Sequence, residues 1–334
     1  MLIRGGSLVY KPVQIHNNHN INVNMSTHHY PSYAEMLDAD LFSTEANCCQ
    51  YLLDVGILPQ QRRCSTCSQW MAIRPCSKIL YREGSCWKCC GNTTSLRSGS
   101  ILQDRKITYR KFIDLLAEFS RDSTVNHASA TLGLSERTVR SFYNEIRERM
   151  AEDIQSCELL GGPGQIVEVD EAKFGKRKHN TGRPVDGSWV CGGIERGINR
   201  CFLAVCPDNI RNQATLLRLI QRYVAPGTTV ITDKWKGYIN LGNHGYVHED
   251  VNHSTNFVDP VSGAHTNGIE GTWTHVKNRV LRRGGRRTPD SLDADLTNFM
   301  WLRQKHLTSG RDKQKLLFAR ELPLLLNFKY FLKV

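Results

Sequence analysis

The spacing of apolar positions changes several times along the chain, and each change predicts an element. Residues 33–58 (YAEMLDADLFSTEANCCQYLLDVGIL) repeat apolar positions by three and four, as helical turns do, and Pro59 ends them. Residues 109–120 (YRKFIDLLAEFS) predict an amphipathic helix. In VNHASATLGLSERTVRSFYNEIRERM a first helix is expected to run to about Leu132. Gly133 then turns the chain and Ser135 caps a second helix. On that helix Val139, Phe142 and Ile146 would pack inward, while Arg137, Thr138, Arg140, Ser141 and Asn144 would point outward. GGPG at 161–164 breaks the pattern and reads as a domain boundary. Beyond it QIVEVDEAKFG, SWVCGGIE and RCFLAVC predict three strands, the last two joined by a turn around Gly197–Asn199. ATLLRLIQRYV predicts a helix, TTVITD a fourth strand and GYVHEDVN a short fifth. Further helices are expected from near Thr266 and over SLDADLTNFMWLRQKH.

Three strands in series, a helix, a strand, a short strand and a helix match, by analogy, the order of a ribonuclease H-like α/β fold, which alone does not fix a function. Composition narrows the choice. The 334 residues are 40% apolar, enough for a core. The net charge of +12 points to a polyanion, nucleic acid before a membrane surface, although a solvated basic surface would leave the same charge. No run approaches the roughly 18–20 apolar residues of a membrane span. Residues 1–32 read as a flexible leader without a secretory signal. Met25 opens more ordinary sequence, so residues 1–24 read as an upstream extension or a gene-model artefact.

Twelve cysteines without a signal peptide suggest a reducing compartment and metal rather than disulfides. Cys64 and Cys67 form one C-x2-C, Cys86 and Cys89 another, with eighteen residues between them. Four thiolates so spaced suit one structural Zn²⁺ in the β-hairpins of a zinc ribbon. Cys90 is an alternative to Cys89 as the fourth ligand, and Cys76 is a bystander. The helix pair around Gly133 has the form of a helix-turn-helix, whose second helix would offer Arg137, Thr138, Arg140, Ser141 and Asn144 to a major groove. An ordinary helical hairpin is the competing reading.

Three acids stand out in the second half. Asp170 lies on the first strand, Asp233 ends the fourth, and Glu270 opens the later helix. In the expected fold the two strands are neighbours, so these carboxylates can converge. Converging carboxylates repel unless a cation joins them, and oxygen donors favour Mg²⁺ or Mn²⁺. Two such ions could activate an attacking water and stabilise the leaving oxygen of a phosphodiester. Taken singly, each acid could be a solvated charge, and Glu168 and Glu171 flank Asp170. Ile269, Trp273, Val276 and Val280 make an apolar stripe that Glu270 borders.

The blocks VEVDEAKFGKR, ITDKWKGY, VNHSTNFVDP and GAHTNGIEGTWTHVK resemble the catalytic region of Merlin-superfamily DDE transposases and their bacterial ISXO2-like insertion-sequence relatives. The segments before them resemble that family's zinc-ribbon and helix-turn-helix part, and the resemblance covers roughly residues 33–306. It implies that Asp170, Asp233 and Glu270 are the catalytic, metal-binding triad; the thirty-six residues between the last two are typical of DDE enzymes. It implies a ribonuclease H-like domain over 165–306, preceded by a helical segment (33–60), a zinc ribbon (61–100) and a helix-turn-helix region (105–155). The tail at 307–334 is atypical and reads as host sequence or noise.

On this resemblance Asn267 and Gly268 allow a tight entry into the helix of Glu270, Asn267 supports the acids, and His265 and Lys277 either support them or contact DNA phosphates. Arg282 and Arg283 would contact DNA phosphates in a mobile loop LRRGGRRTP that could equally be a solvated linker. His253 lies in a family-like block without an assigned role, and the basic stretch GKRKHN is shorter than expected. The expected activity is binding of double-stranded DNA at terminal inverted repeats, metal-dependent cleavage and strand transfer into target DNA, by a homo-oligomer without a membrane. The expected site of action is the nucleus of a eukaryotic host, otherwise the cytoplasm. A catalytically silent, sequence-specific DNA-binding derivative is the alternative.

Overall fold

The computed structural model describes residues 33–38, 41–76, 84–175, 187–251, 265–282, 288–307 and 317–327. His253, Arg283 and residues 176–180 of GKRKHN lie outside these residues, as do the leader and the side chain of Arg282. No helix among the described residues is long and apolar enough to cross a membrane. The chain forms two compact units, residues 1–141 with 311–334 and residues 142–310.

The first unit begins with α1 (Tyr33–Asp38) and α2 (Glu45–Asp54). Thr44 caps α2, its hydroxyl accepting from the Asn47 N–H at 3.1 Å. A small antiparallel sheet follows in the order β1 (Ala72–Pro75), β2 (Ser85–Cys89), β3 (Asn92–Thr94). Then come α3 (Tyr109–Ser120), α4 (Val125–Leu132) and α5 (Glu136–Gln155). The two helices expected around Gly133 form as predicted. Gly133 closes α4 in the left-handed conformation (φ 59°), open to glycine without strain. Ser135 Oγ accepts from the Thr138 N–H at 3.2 Å and starts α5. Val139, Phe142 and Ile146 are fully buried, while Arg137, Arg140, Ser141 and Asn144 are exposed and Thr138 is half-buried.

A π-helical turn over Leu317–Glu321 and α6 (Leu322–Leu325) belong to the first unit, where Phe318 is buried edge-on to Tyr33 with ring centroids 5.3 Å apart.

The compact units divide between Ser141 and Phe142, inside α5, so Gly161–Gly164 lies within the second unit. The reason is packing: the later half of α5 is bound to α9 (Pro289–Gln304). The Trp301 indole N–H donates to Asp153 at 2.8 Å, and the Asn298 amide approaches Met150 Sδ at 3.1 Å.

The second unit is a five-stranded sheet flanked by helices, in the element order expected. Its strands are β4 (Ile166–Phe174), β5 (Ser188–Glu195), β6 (Cys201–Val205), β7 (Thr229–Asp233) and β8 (Val247–Val251). They lie in the order β6-β5-β4-β7-β8, with β5 antiparallel to β4 and β6, and β7 parallel to β4 and β8. Period-two alternation sends β4 side chains to both faces. Val167 and Val169 pack with Leu216, Leu219 and Ile220 of α7 (Gln213–Tyr223). Ala172 and Phe174 pack on the other face against Ile269, Trp273, Val276 and Val280 of α8 (Asn267–Arg282) and Leu292, Leu296 and Phe299 of α9. The stripe expected on α8 is buried throughout.

Candidate active site

Asp170 lies on the α8 face of β4, at its middle. The parallel pairing of β4 with β7 aligns Ile166 with Thr229, Val167 with Val230 and Glu168 with Ile231. Two residues further along the same register Asp170 stands level with Asp233, the last residue of β7. Glu270 sits in the first turn of α8, three residues before Trp273 and so on the adjoining face. The Trp273 indole N–H donates to Asp170 Oδ2 at 3.0 Å, which ties the helix of the third acid to the first acid.

The acids feel one another. Burial lifts the Asp170 carboxyl above the usual carboxylate range; the Glu171 backbone N–H and the Trp273 indole oppose this, and the charges of Asp233 and Glu270 add to it. Asp233 Oδ1 accepts from the Trp235 N–H at 3.1 Å. Glu270 Oε1 accepts from the buried Thr266 hydroxyl at 3.2 Å. The carboxylate oxygens do not all come within 4.8 Å of one another. Their chemistry, oxygen donors with mutually unfavourable charge on neighbouring elements, fits a hard divalent cation.

Trp273 needs space on the sheet, and Gly192 provides it. Gly192 pairs with Asp170 across β5, and a Cβ there would stand 2.6 Å from the Trp273 ring and 2.8 Å from Leu203. Gly192→Ala is expected to cost about 1–3 kcal/mol of stability by overpacking, read as a lower urea midpoint.

Sequence reasoning did not assign the two carboxylates beside Asp170. Glu168, 2% exposed, accepts from the N–H groups of Gly268 (2.9 Å) and Ile269 (3.1 Å) through Oε2, and from Arg196 Nε (2.8 Å) through Oε1. His265 Nδ1 lies 3.4 Å from that Oε1 without making a hydrogen bond. His265 therefore stands beside Glu168, Asn267 is exposed at the start of α8, and half-buried Lys277 lies over the Phe174 ring at 5.8 Å. Glu171 faces the other side of the sheet, accepting from the Tyr238 hydroxyl and pairing with Arg211 at 3.5 Å. Burial pushes its carboxyl up to about 7; the Tyr238 hydroxyl counters, the charge of Asp170 adds, Arg211 counters and Asp233 adds. The available signal was an acid at each end of a short run on an otherwise apolar strand.

In the first unit the thiols of Cys64, Cys67, Cys89 and Cys90 gather with all sulfurs within 4.8 Å of one another, the only such group of ligand atoms among the described residues. Cys64 and Cys90 are 3.5 Å apart, Cys67 and Cys89 3.4 Å. Cys86, expected as a ligand, is not in this group, and Cys90 is. β2 stays extended from Ser85 to Cys89, and side chains three apart on a strand point to opposite faces. Cys86 is thus buried away from the group, whereas the turn at Cys90 (φ 41°) and Gly91 (φ 88°) swings the next thiol inward. The Asn92 amide, donating to Cys64 at 3.2 Å, is the first cause that holds that thiol down to about 6, while the neighbouring Cys67 and Cys64 push Cys90 up to about 12. Four sulfur donors at this spacing fit Zn²⁺.

Comparison with known proteins agrees with the acid-bearing unit. The family described as ISXO2-like transposase domain matches residues 159–284, from the α5–β4 connection to two residues past α8. An uncharacterized transposase-like protein of Haemophilus influenzae is 35% identical over 86 residues, which are 26% of this chain and 67% of that protein. Among solved structures, the Mos1 transposase paired-end complex with left transposon end is similar at 12% identity over 64% of this chain and 75% of that one. Its TM-score of 0.29 is too low to build on. With a relative matched over two thirds of its length and the family spanning β4 to α8, the chain belongs to the ISXO2-like transposases.

Proposed function

We propose that the protein is a DNA transposase of the DDE type, with a ribonuclease H-like second unit that cuts DNA at Asp170, Asp233 and Glu270 and a first unit that binds it. The observation that carries this is the register of β4 and β7, level at Asp170 and Asp233, combined with the bond from Trp273 of α8 to Asp170. Two Mg²⁺ or Mn²⁺ ions held by the three carboxylates would supply a nucleophile at neutral pH and charge for the leaving oxygen. The chain's part is to hold three acids at fixed positions. Asp233 is oriented by the Trp235 N–H, Asp170 by Trp273, and Glu270 by Thr266. In the first reaction water attacks a phosphodiester phosphorus and loses a proton to solvent, the P–O3′ bond breaks, and the leaving O3′ takes up a proton to become a 3′-hydroxyl beside a 5′-phosphate. The freed 3′-hydroxyl then attacks a phosphodiester of target DNA, one P–O bond forming as another breaks.

Binding is assigned to the first unit and the start of α5. Arg137, Thr138, Arg140, Ser141 and Asn144 form the outward row that would meet the groove, and a Zn²⁺ on Cys64, Cys67, Cys89 and Cys90 would hold the β1–β3 sheet together. Lys277 and the arginines at 282 and 283 are candidate phosphate contacts, and paired transposon ends would call for more than one copy of the chain. A derivative that binds without cutting is the competing outcome.

The test is a nicking assay on a DNA fragment carrying the terminal repeats that flank this gene. Cuts at the repeat ends with Mg²⁺, absent with EDTA, are expected. Tight binding with no cut under Mg²⁺ or Mn²⁺ would rule out the enzyme and leave the DNA-binding derivative.

A further inference from the structure

β4 carries three acids within four positions, Glu168, Asp170 and Glu171, and only the middle one belongs to the proposed metal-binding triad. The outer two are the most deeply buried carboxylates in the neighbourhood, with side chains 2% and 1% exposed. A buried carboxylate is costly unless it is fully hydrogen-bonded, so each must be held by partners that matter to the fold. The partners are not scattered. Those of Glu168 converge on the start of α8: the N–H groups of Gly268 and Ile269 in its first turn, and Arg196, whose Nη2 also donates to the carbonyl of His265, two residues before the helix, at 2.7 Å. Glu270 is the next residue but one after Gly268. The approach is so close that a Cβ on Gly268 would stand 2.8 Å from Glu168 Oε2.

The partners of Glu171 both bear on Trp235, whose N–H holds Asp233. Tyr238 meets Trp235 edge-on at 6.0 Å, and the Arg211 guanidinium lies 4.3 Å from the Trp235 ring and 4.3 Å from Trp189. Gly237 is part of the same packing, since a Cβ there would fall 2.0 Å from the Trp235 ring.

We propose that Glu168 and Glu171 are positioning residues, Glu168 fixing the helix start that carries Glu270 and Glu171 fixing the loop that orients Asp233, so that one strand sets the separation of all three acids. This inference rests on the metal-centre reading of those acids. Neither glutamate is expected to touch metal or DNA. Substituting Gln keeps one acceptor oxygen but turns an amide N–H toward Arg196 or Arg211, which themselves only donate.

Mn²⁺ titrated into the full chain, with the free ion read by its electron paramagnetic resonance signal, tests this without DNA or catalysis. Glu168→Gln and Glu171→Gln are each expected to weaken Mn²⁺ binding about tenfold, the scale seen when a group behind a metal ligand is removed. Glu195→Gln is the control. That carboxylate is also buried on β5 but accepts from the Gly161 N–H rather than from an element that holds one of the three acids. It should lower the urea midpoint and leave Mn²⁺ affinity unchanged. Wild-type affinity in both glutamine variants, or an equal loss in Glu195→Gln, overturns the proposal. If Asp170→Asn binds Mn²⁺ as tightly as the wild type, the metal-centre reading itself falls. Should the glutamate variants fail to fold, Arg196→Gln and Tyr238→Phe remove one partner from each brace, and an affinity loss of about threefold is expected; no loss in either overturns the proposal.

Discussion

Asp170→Asn is expected to reduce metal-dependent cutting on the order of 10³-fold, since a lost ligand to the ions removes several kcal/mol of charge stabilisation from the reaction. The fold should survive. Asparagine keeps an oxygen for the Trp273 indole and removes a charge that burial and two neighbouring acids disfavour. The sign of the stability change follows from the raised carboxyl. A group whose folded pKa lies above its unfolded value lends stability below the unfolded pKa and loses it as pH rises through the folded one. In EDTA, the wild type should therefore lose stability relative to Asp170→Asn on going from acid to mildly alkaline buffer. Cutting that persists in Asp170→Asn would remove this residue from the chemistry; a variant less stable than wild type in alkaline buffer would contradict the electrostatic account.

Cys90→Ser should release the zinc of the first unit, and Cys86→Ser should retain it. Apparent binding free energies for structural zinc run to about 10–16 kcal/mol, so losing one of four thiolates is expected to unfold the β1–β3 region. Cys86→Ser exchanges a buried thiol for a hydroxyl at a cost of about 1–3 kcal/mol and leaves the metal in place. Metal content by mass spectrometry of the purified variants decides it. Zinc retained in Cys90→Ser and lost in Cys86→Ser would return the ligand role to Cys86.

Cys86 and Cys90 mark where sequence reading reached its limit. The strands and helices of the second unit were legible because their periods are local: QIVEVDEAKFG alternates, and Ile269, Trp273, Val276 and Val280 recur at helical spacing. The family resemblance pointed to a transposase, and the comparison with relatives agrees. A C-x2-C pair carries no such local mark. It reads the same on a knuckle and on an extended strand, and only the turn at Cys90–Gly91 reveals which thiol faces the group. Glu168 and Glu171 were legible as acids on an apolar strand but not as braces. Gly268 and Ile269 lie about a hundred residues further on, and no period in the sequence links them to Glu168. Asp170 and Asp233 stand level through a parallel pairing, whose register a sequence does not announce.

The first unit is assembled from both ends of the chain, with Phe318 packed against Tyr33 and the second unit inserted between. The protein is therefore a host with a guest domain, and the core of the host is incomplete until the residues that follow the guest, Leu317 to Leu326, have been made. A frameshift or internal stop late in the gene would strip buried Leu317, Phe318 and Leu322 from the unit that begins near the N-terminus, leaving an open core. Damaged copies of such a gene would yield chains that misfold and are degraded, rather than stable fragments able to compete with the intact protein.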